Sequence, residues 1–143
     1  MKLLQPRESA RSIFEIDYPR LYRAGKRAIL FDLDNTLGRR RTKHLDPKVV
    51  ELLARLTEMG FRIGILTNRR RVRGDPMIAA LSSCYPLLHT ARKPGRSGFR
   101  KLLSKLDLLP EEAVMIGDRR LTDVFGANRL GIYTILIRKR GMD

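Results

Sequence analysis

The stretch AILFDLDNTL, residues 28–37, joins a short apolar run to a pair of carboxylates. Four apolar residues in a row are typical of a buried strand, and Asp32 and Asp34 follow at its end. Because side chains two residues apart on an extended backbone point the same way, both carboxylates would share one face. Two neighbouring anions repel, so we expect a cation or a shared proton beside them. The alternative is a solvated turn in which Asp34 and Asn35 act only as turn formers.

Apolar runs and helical patterns alternate along the rest of the chain. Asp46-Pro47 is typical of a helix start, and the apolar stripe that follows ends before Gly60. The same patterns predict strands at 28–31, 61–66, 87–88, 113–116 and 132–137, and further helices at 76–82, from Ser97 to near Pro110, and from a cap at Thr122 or Asp123 to Gly131. This alternation predicts an α/β fold, in which a mostly parallel sheet of about five strands lies between two helical layers.

Length and composition bound the domain and its compartment. With 143 residues, 43% of them hydrophobic, the chain suits one core, so we expect a single domain over residues 1–143. It has no apolar run of about 18 residues and no apolar secretory segment at its start, so we expect no transmembrane segment and a cytoplasmic location. Cys84 is the only cysteine, which excludes an internal disulfide, and we expect it to be buried as a small apolar residue.

Polar side chains follow four of the predicted strands. In open parallel sheets, ligands bind beyond the carboxyl ends of the strands. The candidate site residues at these ends are Asp32 and Asp34, Thr67 and Asn68, Arg92 and Lys93, and Asp118 with Asp123. Four loops therefore bring acids, a hydroxyl and a lysine to one edge of the sheet. Such a set suits phosphoryl transfer, because one carboxylate can attack while its neighbour moves the proton.

These residues, in this order, resemble the four motifs of the haloacid dehalogenase (HAD) superfamily of phosphohydrolases. Residues 32–37 match DxDx[T/V][L/V], and Thr67 matches the Ser or Thr that ends the next strand. Lys93-Pro94 matches the lysine before a helix, and Gly117-Asp118 with Asp123 matches the final pair of acids. The match extends over nearly the whole chain. The resemblance implies a Rossmann-like α/β/α core and a phosphatase activity.

The resemblance also implies a role for each acid. Asp32 would be the nucleophile that forms an aspartyl-phosphate, and Asp34 would protonate the leaving oxygen and later deprotonate the hydrolytic water. Asp32 and Asp118, with the backbone carbonyl of Asp34, would hold Mg²⁺, and Asp123 would support the metal. A set of oxygen ligands suits this ion.

The resemblance further implies that Thr67, Asn68 and Lys93 bind the substrate phosphate. Such a role agrees with the chemistry, since positioning and charge neutralisation are what phosphoryl transfer mainly needs. Superfamily members often insert a cap domain. The segments between Asp34 and Thr67, and between Thr67 and Lys93, have room only for core elements. We therefore expect no cap domain and an open site that accepts large or surface-bound substrates.

Closer features resemble the small, capless, YqeG-like branch of the superfamily, which includes relatives of the mitochondrial phosphatase that acts on phosphatidylglycerophosphate. They are the segment 12–16 before the first strand, Thr67-Asn68, Lys93-Pro94 and the run from Gly117 to Thr134. Two residues depart from the branch: Arg69 stands where a second Asn is usual, and Arg119 where a Gln is usual. Both add positive charge at the rim of the site.

The net charge is +15, and 16 of the 30 basic residues follow predicted strand ends. We call this set the basic collar: Arg39, Arg40, Arg41, Lys43, Arg69, Arg70, Arg71, Arg73, Arg92, Lys93, Arg96, Arg119, Arg120, Arg138, Lys139 and Arg140. Arginine forks recognise phosphate oxygens, and polybasic surfaces bind anionic membranes, so we expect peripheral contact with an anionic membrane. The alternative is a solvated loop face in an Arg-rich proteome.

The sequence thus favours a Mg²⁺-dependent phosphomonoester hydrolase whose substrate is phosphatidylglycerophosphate or a related anionic lipid phosphate. One alternative is a phosphatase for a soluble phosphorylated metabolite or a nucleic-acid end. Another is a basic nucleic-acid-binding module without catalysis. The second alternative is not favoured, since all the catalytic side chains are present and only four Tyr and five Phe are available for base stacking.

Overall fold

Six strands form the central sheet in the computed structural model, which describes residues 2–38, 43–93 and 95–138. The strands are β1 (Glu8–Ala10), β2 (Ala28–Phe31), β3 (Arg62–Leu66), β4 (Leu87–Leu88), β5 (Ala113–Gly117) and β6 (Tyr133–Ile137). Their order across the sheet is β1-β6-β5-β2-β3-β4, and every pair is parallel. The α/β fold class predicted from the sequence is confirmed.

Helices fill the connections between the strands. They are α1 (Tyr18–Arg23), α2 (Pro47–Met59), α3 (Pro76–Ser82), α4 (Arg96–Leu106) and α5 (Phe125–Asn128). The predicted start of α2 is confirmed: the Asp46 carboxylate accepts a hydrogen bond from the Lys48 amide at 2.9 Å. Gly60 ends the helix at a φ of 107°, which glycine adopts without strain. No helix in the described segments is long and apolar enough to cross a bilayer.

The two faces of the sheet pack into separate apolar cores. Ile29 and Phe31 of β2 lie in a core with residues of α1, α2 and α3, whereas Ala28 and Leu30 lie in a second core with residues of α4. All four of these β2 residues are fully buried. Because alternate residues of a strand point to opposite faces, helices must cover both sides of β2. This burial holds the three layers together and keeps β2 at the centre.

One strand more is present than the sequence predicts. β1 pairs with β6 at the edge of the sheet, with Glu8 opposite Ile135. Its three residues, Glu-Ser-Ala, contain no apolar run that would mark a strand, and its pairing partner lies at the other end of the chain. The helix α1 was not predicted either, although Asp17 caps it by accepting a hydrogen bond from the Arg20 amide at 3.1 Å.

Two local predictions are wrong. Cys84 is exposed, because it lies in the turn that follows α3 rather than on a core-facing element. No helix is capped by Thr122 or Asp123. Instead Asp123 lies inside a π-helical turn, Arg120–Val124, which leads into α5. The sequence pattern of a cap was present, but tertiary contacts of the Asp123 side chain decide its position.

Candidate active site

The carboxyl ends of three adjacent strands carry the predicted acids and hydroxyl. Asp32 follows β2, Thr67 follows β3 and Asp118 follows β5, and β2 lies between the other two strands. The chain runs outward from β2 to β4 and then returns to β5 on the other side of β2. Ligands of open α/β sheets bind where the strand order reverses in this way. The fold therefore places Asp32 and Asp118 beside each other at such a point.

Lys93 is the central cation of the site. Its Nζ donates hydrogen bonds of 2.6 Å to both Asp32 Oδ1 and Asp123 Oδ1. Lys93 is 6% exposed, Asp32 7% and Asp123 1%. The prediction that Lys93 belongs to an exposed basic collar is wrong, because two buried carboxylates hold the ammonium inside the protein.

Asn68 and Thr67 hold the loop that carries Lys93. The Asn68 amide donates to the Lys93 carbonyl at 3.1 Å and accepts from the Lys93 amide at 2.7 Å. The Ala91 amide donates to the Thr67 carbonyl at 2.9 Å, and the buried Thr67 hydroxyl accepts from the Arg69 amide at 3.1 Å. Both predicted residues thus lie next to Lys93, with the Asn68 side chain positioning the Lys93 main chain.

Burial and neighbouring charges change the ionisation of this group. Burial raises the pKa of Asp32 to about 7. The Lys93 ammonium lowers this pKa, but burial has the larger effect. The nearby carboxylates of Asp123 and Asp118 act in the same direction as burial. Burial alone would lower the pKa of Lys93, but the two carboxylates outweigh it and the pKa is raised. Lys93 therefore remains a cation.

Three acids converge on a position that suits a metal ion. Asp32, Asp118 and Asp123 each offer a carboxylate oxygen, and these oxygens lie within 4.8 Å of one another. When all three carboxylates are ionised, they and the Lys93 ammonium have a net charge of −2, which one divalent cation balances. Hard divalent cations such as Mg²⁺ prefer oxygen ligands. The group therefore fits the divalent metal that the sequence predicts.

Gly117 allows Asp123 to reach this position. A Cβ added at Gly117 would lie 2.2 Å from Asp123 Oδ2, closer than real Cβ contacts occur. The same oxygen accepts a hydrogen bond from the Arg119 amide at 3.2 Å. The glycine at the end of β5 is therefore required by the close approach of the carboxylate.

Asp34 has different partners from the other acids. Arg69 donates from Nη2 to Asp34 Oδ1, and from Nη1 to Asp75 Oδ2 at 2.5 Å. The other oxygen of Asp75 caps α3 by accepting from the amides of Met77 and Ile78. Arg69, expected only at the rim, thus links Asp34 to the start of a helix. The Asp34 carboxylate lies outside the group of three acids.

A cavity of about 460 Å³, which we call the strand-end cavity, joins these groups. Its lining residues are Asp32, Asp34, Asn68, Arg69, Asp75, Lys93, Arg119 and Thr122. Asp75 and Thr122 were not predicted as site residues. Their sequence signals were those of helix caps, and nothing local in the sequence shows that Asp75 also binds Arg69. The volume is within the usual range of small-molecule sites.

The basic collar is described only in part. Five of its predicted members lie outside the described residues: Arg39, Arg40, Arg41, Lys139 and Arg140. Lys93 is buried, and Arg69 is neutralised by two carboxylates. The described members with exposed side chains are Lys43, Arg70, Arg71, Arg73, Arg92, Arg96, Arg119, Arg120 and Arg138.

Comparisons with known proteins agree with this architecture. The solved HAD phosphatase of Thermococcus onnurineus superposes with a TM-score of 0.68 at 19% identity, covering 80% of this chain and 87% of that one. At this identity, the likeness concerns the fold alone. The segment between Asp34 and Thr67 contains α2 and β3, and the segment between Thr67 and Lys93 contains α3 and β4, as expected without a cap domain.

Sequence comparisons identify the family. A family model described as HAD-hydrolase-like matches residues 90–141. The chain is 33% identical over 136 residues to the "Probable phosphatase YqeG" of Bacillus subtilis, covering 95% of this chain and 78% of that protein. It is 31% identical over 144 residues to "Phosphatidylglycerophosphate phosphatase 1, chloroplastic" of Chlamydomonas reinhardtii, covering 95% of this chain and 53% of the algal protein. The chain belongs to the HAD superfamily of phosphatases, in the branch that includes YqeG.

Proposed function

We propose that this phosphatase hydrolyses phosphomonoesters through an aspartyl-phosphate formed on Asp32. The observation that carries the proposal is the buried contact of Lys93 with Asp32 and Asp123, beside Asp118, in a cavity that Asp34 also lines. A phosphate dianion and a carboxylate repel each other, so a nucleophilic carboxylate needs fixed positive charge nearby. Lys93 provides this charge without further reorganisation.

The reaction divides between two carboxylates. An oxygen of Asp32 forms a bond to phosphorus, the bond from phosphorus to the ester oxygen breaks, and the leaving oxygen takes a proton from Asp34. Water then attacks the same phosphorus and gives a proton to Asp34. This attack breaks the bond between phosphorus and the Asp32 oxygen. One water is consumed, and one alcohol and one phosphate are released. The position of the Asp34 carboxylate outside the group of three acids supports this separate role.

The remaining residues bind the phosphate and the metal. Thr67 and Lys93 would contact phosphate oxygens, and Asn68 would keep Lys93 in place. The carboxylates of Asp32, Asp118 and Asp123 are the side-chain ligands proposed for Mg²⁺, and the backbone carbonyl of Asp34 is the proposed fourth protein ligand. When bound, the ion would neutralise charge on the phosphate and on the acids.

For the substrate, we propose an anionic lipid phosphate of the phosphatidylglycerophosphate type. The name of the algal relative and the exposed arginines after the strand ends support this class. The same arginines would hold the protein at the surface of an anionic membrane. A soluble phosphomonoester or a nucleic-acid end is the alternative that the same chemistry accepts. Nucleic-acid binding without catalysis is not favoured, because the acids and Lys93 form a complete catalytic set.

The chemistry is tested with Asp32→Asn and p-nitrophenyl phosphate in the presence of Mg²⁺. We expect kcat to fall at least about a thousandfold, since the nucleophile is removed. The matched control is Asp107→Asn at the end of α4, where φ is 56° and Asn is well tolerated. If both variants hydrolyse the aryl phosphate equally well, Asp32 is not the nucleophile.

The substrate class is tested by comparing kcat/KM for three compounds: phosphatidylglycerophosphate in neutral detergent micelles, glycerol 3-phosphate, and a 5′-phosphorylated oligonucleotide. A clear preference for the lipid is expected. A preference for either soluble compound contradicts the lipid assignment but not the phosphatase chemistry. Co-sedimentation with anionic and neutral vesicles tests the membrane contact, and equal binding to both contradicts it.

A further inference from the structure

A second cavity adjoins the strand-end cavity. It has a volume of about 480 Å³ and is lined by Asn68, Arg70, Thr90, Arg92 and Lys93. We call it the side cavity. Asn68 and Lys93 line both cavities. Because the Asn68 amide is bonded at both ends to the Lys93 main chain, this pair forms a fixed partition between the two spaces.

Two loops are joined so that their arginines meet at the side cavity. The Thr90 amide donates to the Arg69 carbonyl at 2.8 Å, and the Ala91 amide donates to the Thr67 carbonyl at 2.9 Å. Thr90 and Arg92 have φ values of 52° and 56°, a conformation that non-glycine residues rarely adopt. The hydrogen bonds between the loops hold this conformation. Arg92 is therefore held on the same cavity as Arg70.

The side cavity differs from the strand-end cavity in charge. Three carboxylates line the strand-end cavity, whereas no acidic residue in the described part of the chain lines the side cavity. Arg70 and Arg92 have exposed side chains, and neither forms an ion pair or a side-chain hydrogen bond with another described residue. Arg69, which directly precedes Arg70 in the sequence, is by contrast neutralised by Asp34 and Asp75. Within the described ranges, the side cavity thus presents two cations that no carboxylate neutralises.

We propose that Arg70 and Arg92 bind a second anionic group of the substrate while the scissile phosphate lies in the strand-end cavity. This inference rests on the proposed function and narrows its substrate class. The substrate is then a phosphomonoester with a second phosphate group, either a diester or a monoester. This second group lies in the side cavity. Guanidinium groups suit such a group, because their planar fork matches two phosphate oxygens.

The second anion could belong to a lipid headgroup or to a free metabolite, and the test separates these sources. It compares three substrates: glycerol 3-phosphate, glycerophosphoglycerol phosphate, which carries a phosphodiester but no acyl chains, and phosphatidylglycerophosphate in neutral micelles. The variants are Arg70→Gln and Arg92→Gln. The matched control is Arg100→Gln, since Arg100 is exposed on α4 and lines neither cavity.

The measured quantity is the ratio of kcat/KM for each diester-bearing substrate to kcat/KM for glycerol 3-phosphate. We expect each variant to lower this ratio about tenfold for both diester-bearing substrates, because one charge-assisted contact is lost. The Arg100→Gln control should leave it within about twofold. A ratio that stays at the control level overturns the proposal. A fall confined to the micellar substrate also overturns it, since the arginines would then contact the micelle surface.

A binding measurement distinguishes failure of this inference from failure of the proposed function. If the wild-type protein hydrolyses none of the three compounds, the proposed function fails. Calorimetric titration with glycerophosphoglycerol phosphate still tests the side cavity, because binding requires no turnover. The second anion site is supported if Arg70→Gln and Arg92→Gln each bind this compound about tenfold more weakly than Arg100→Gln does. Binding that they leave unchanged overturns it.

Discussion

Removing the Lys93 ammonium gives a direct test of the charge arrangement in the site. In Lys93→Met, an apolar chain of similar length replaces a side chain that is only 2% exposed and bonded to two carboxylates at 2.6 Å. Asp32 and Asp123 are then left buried without their cation. Breaking a buried ion pair by removing one partner costs about 3–5 kcal/mol of folding stability, and we expect a loss in this range.

The loss can be measured by urea unfolding in EDTA, so that no divalent cation replaces the ammonium at the three carboxylates. Lys101→Met on the exposed face of α4 is the matched control, with an expected change of less than about 0.5 kcal/mol. The cost should be smaller near about pH 5 than near about pH 8. Without Lys93 the pKa of Asp32 rises above its value of about 7. A carboxyl whose pKa is raised in the folded state makes the free energy of unfolding fall as the pH rises towards that pKa, so the variant loses more stability at the higher pH.

A loss no greater than that of Lys101→Met would refute the reasoning, because it would mean that the two carboxylates do not depend on this cation. A cost that grows towards low pH would refute the assignment of the buried charge to the carboxylates.

Three further predictions concern individual side chains. Gly117→Ala places a Cβ 2.2 Å from Asp123 Oδ2, so the carboxylate must move; we expect kcat for p-nitrophenyl phosphate to fall at least about tenfold, and wild-type activity would contradict the close approach. Asp75→Asn keeps the cap of α3 but loses a charge opposite Arg69, whereas Asp75→Ala loses the cap as well; in thermal unfolding the Ala variant should be less stable than the Asn variant by about 1 kcal/mol, and equal stability would show that the cap contributes nothing. Cys84 should react with a thiol reagent in the native protein nearly as fast as in the unfolded chain, and protection would contradict its exposure.

Five of the six strands were predictable from local patterns, whereas β1 was not. The apolar run before Asp32 and the run before Gly117-Asp118 each mark a strand that is buried on both faces. Parallel strands bring their carboxyl ends to one edge, so the placement of Asp32 and Asp118 at the same edge follows from the order of elements. That the two acids are neighbours depends on the pairing of β5 with β2, which local patterns do not show. Caps such as Asp46 were predictable for the same reason, since their partners lie within the next few residues.

The partners of the charged side chains were not predictable, because they are distant in the chain. Lys93 contacts residues that are 61 and 30 positions away, and Arg69 contacts Asp34 across 35 positions. A basic residue after a strand end can be exposed or can lie between buried acids, and composition does not separate these cases. The same holds for Asp123. Its sequence neighbours predict a helix cap, whereas in the structure its side chain contacts Lys93 and the Arg119 amide.

The pairing of β1 with β6 has a consequence for a chain that is still being synthesised. β1 precedes the other described strands in the chain and pairs with β6, which follows them, and the Arg7 amide reaches Thr134, 127 positions later. The central strands β2, β3 and β5 can pair before this, since β2 lies between β3 and β5 in the sheet. Until Tyr133 and the residues after it have left the ribosome, the segment Glu8–Ala10 has no strand to join. Its unpaired backbone groups are then open to other chains, so we expect a chaperone to be needed at the segment around β1 until β6 has been made.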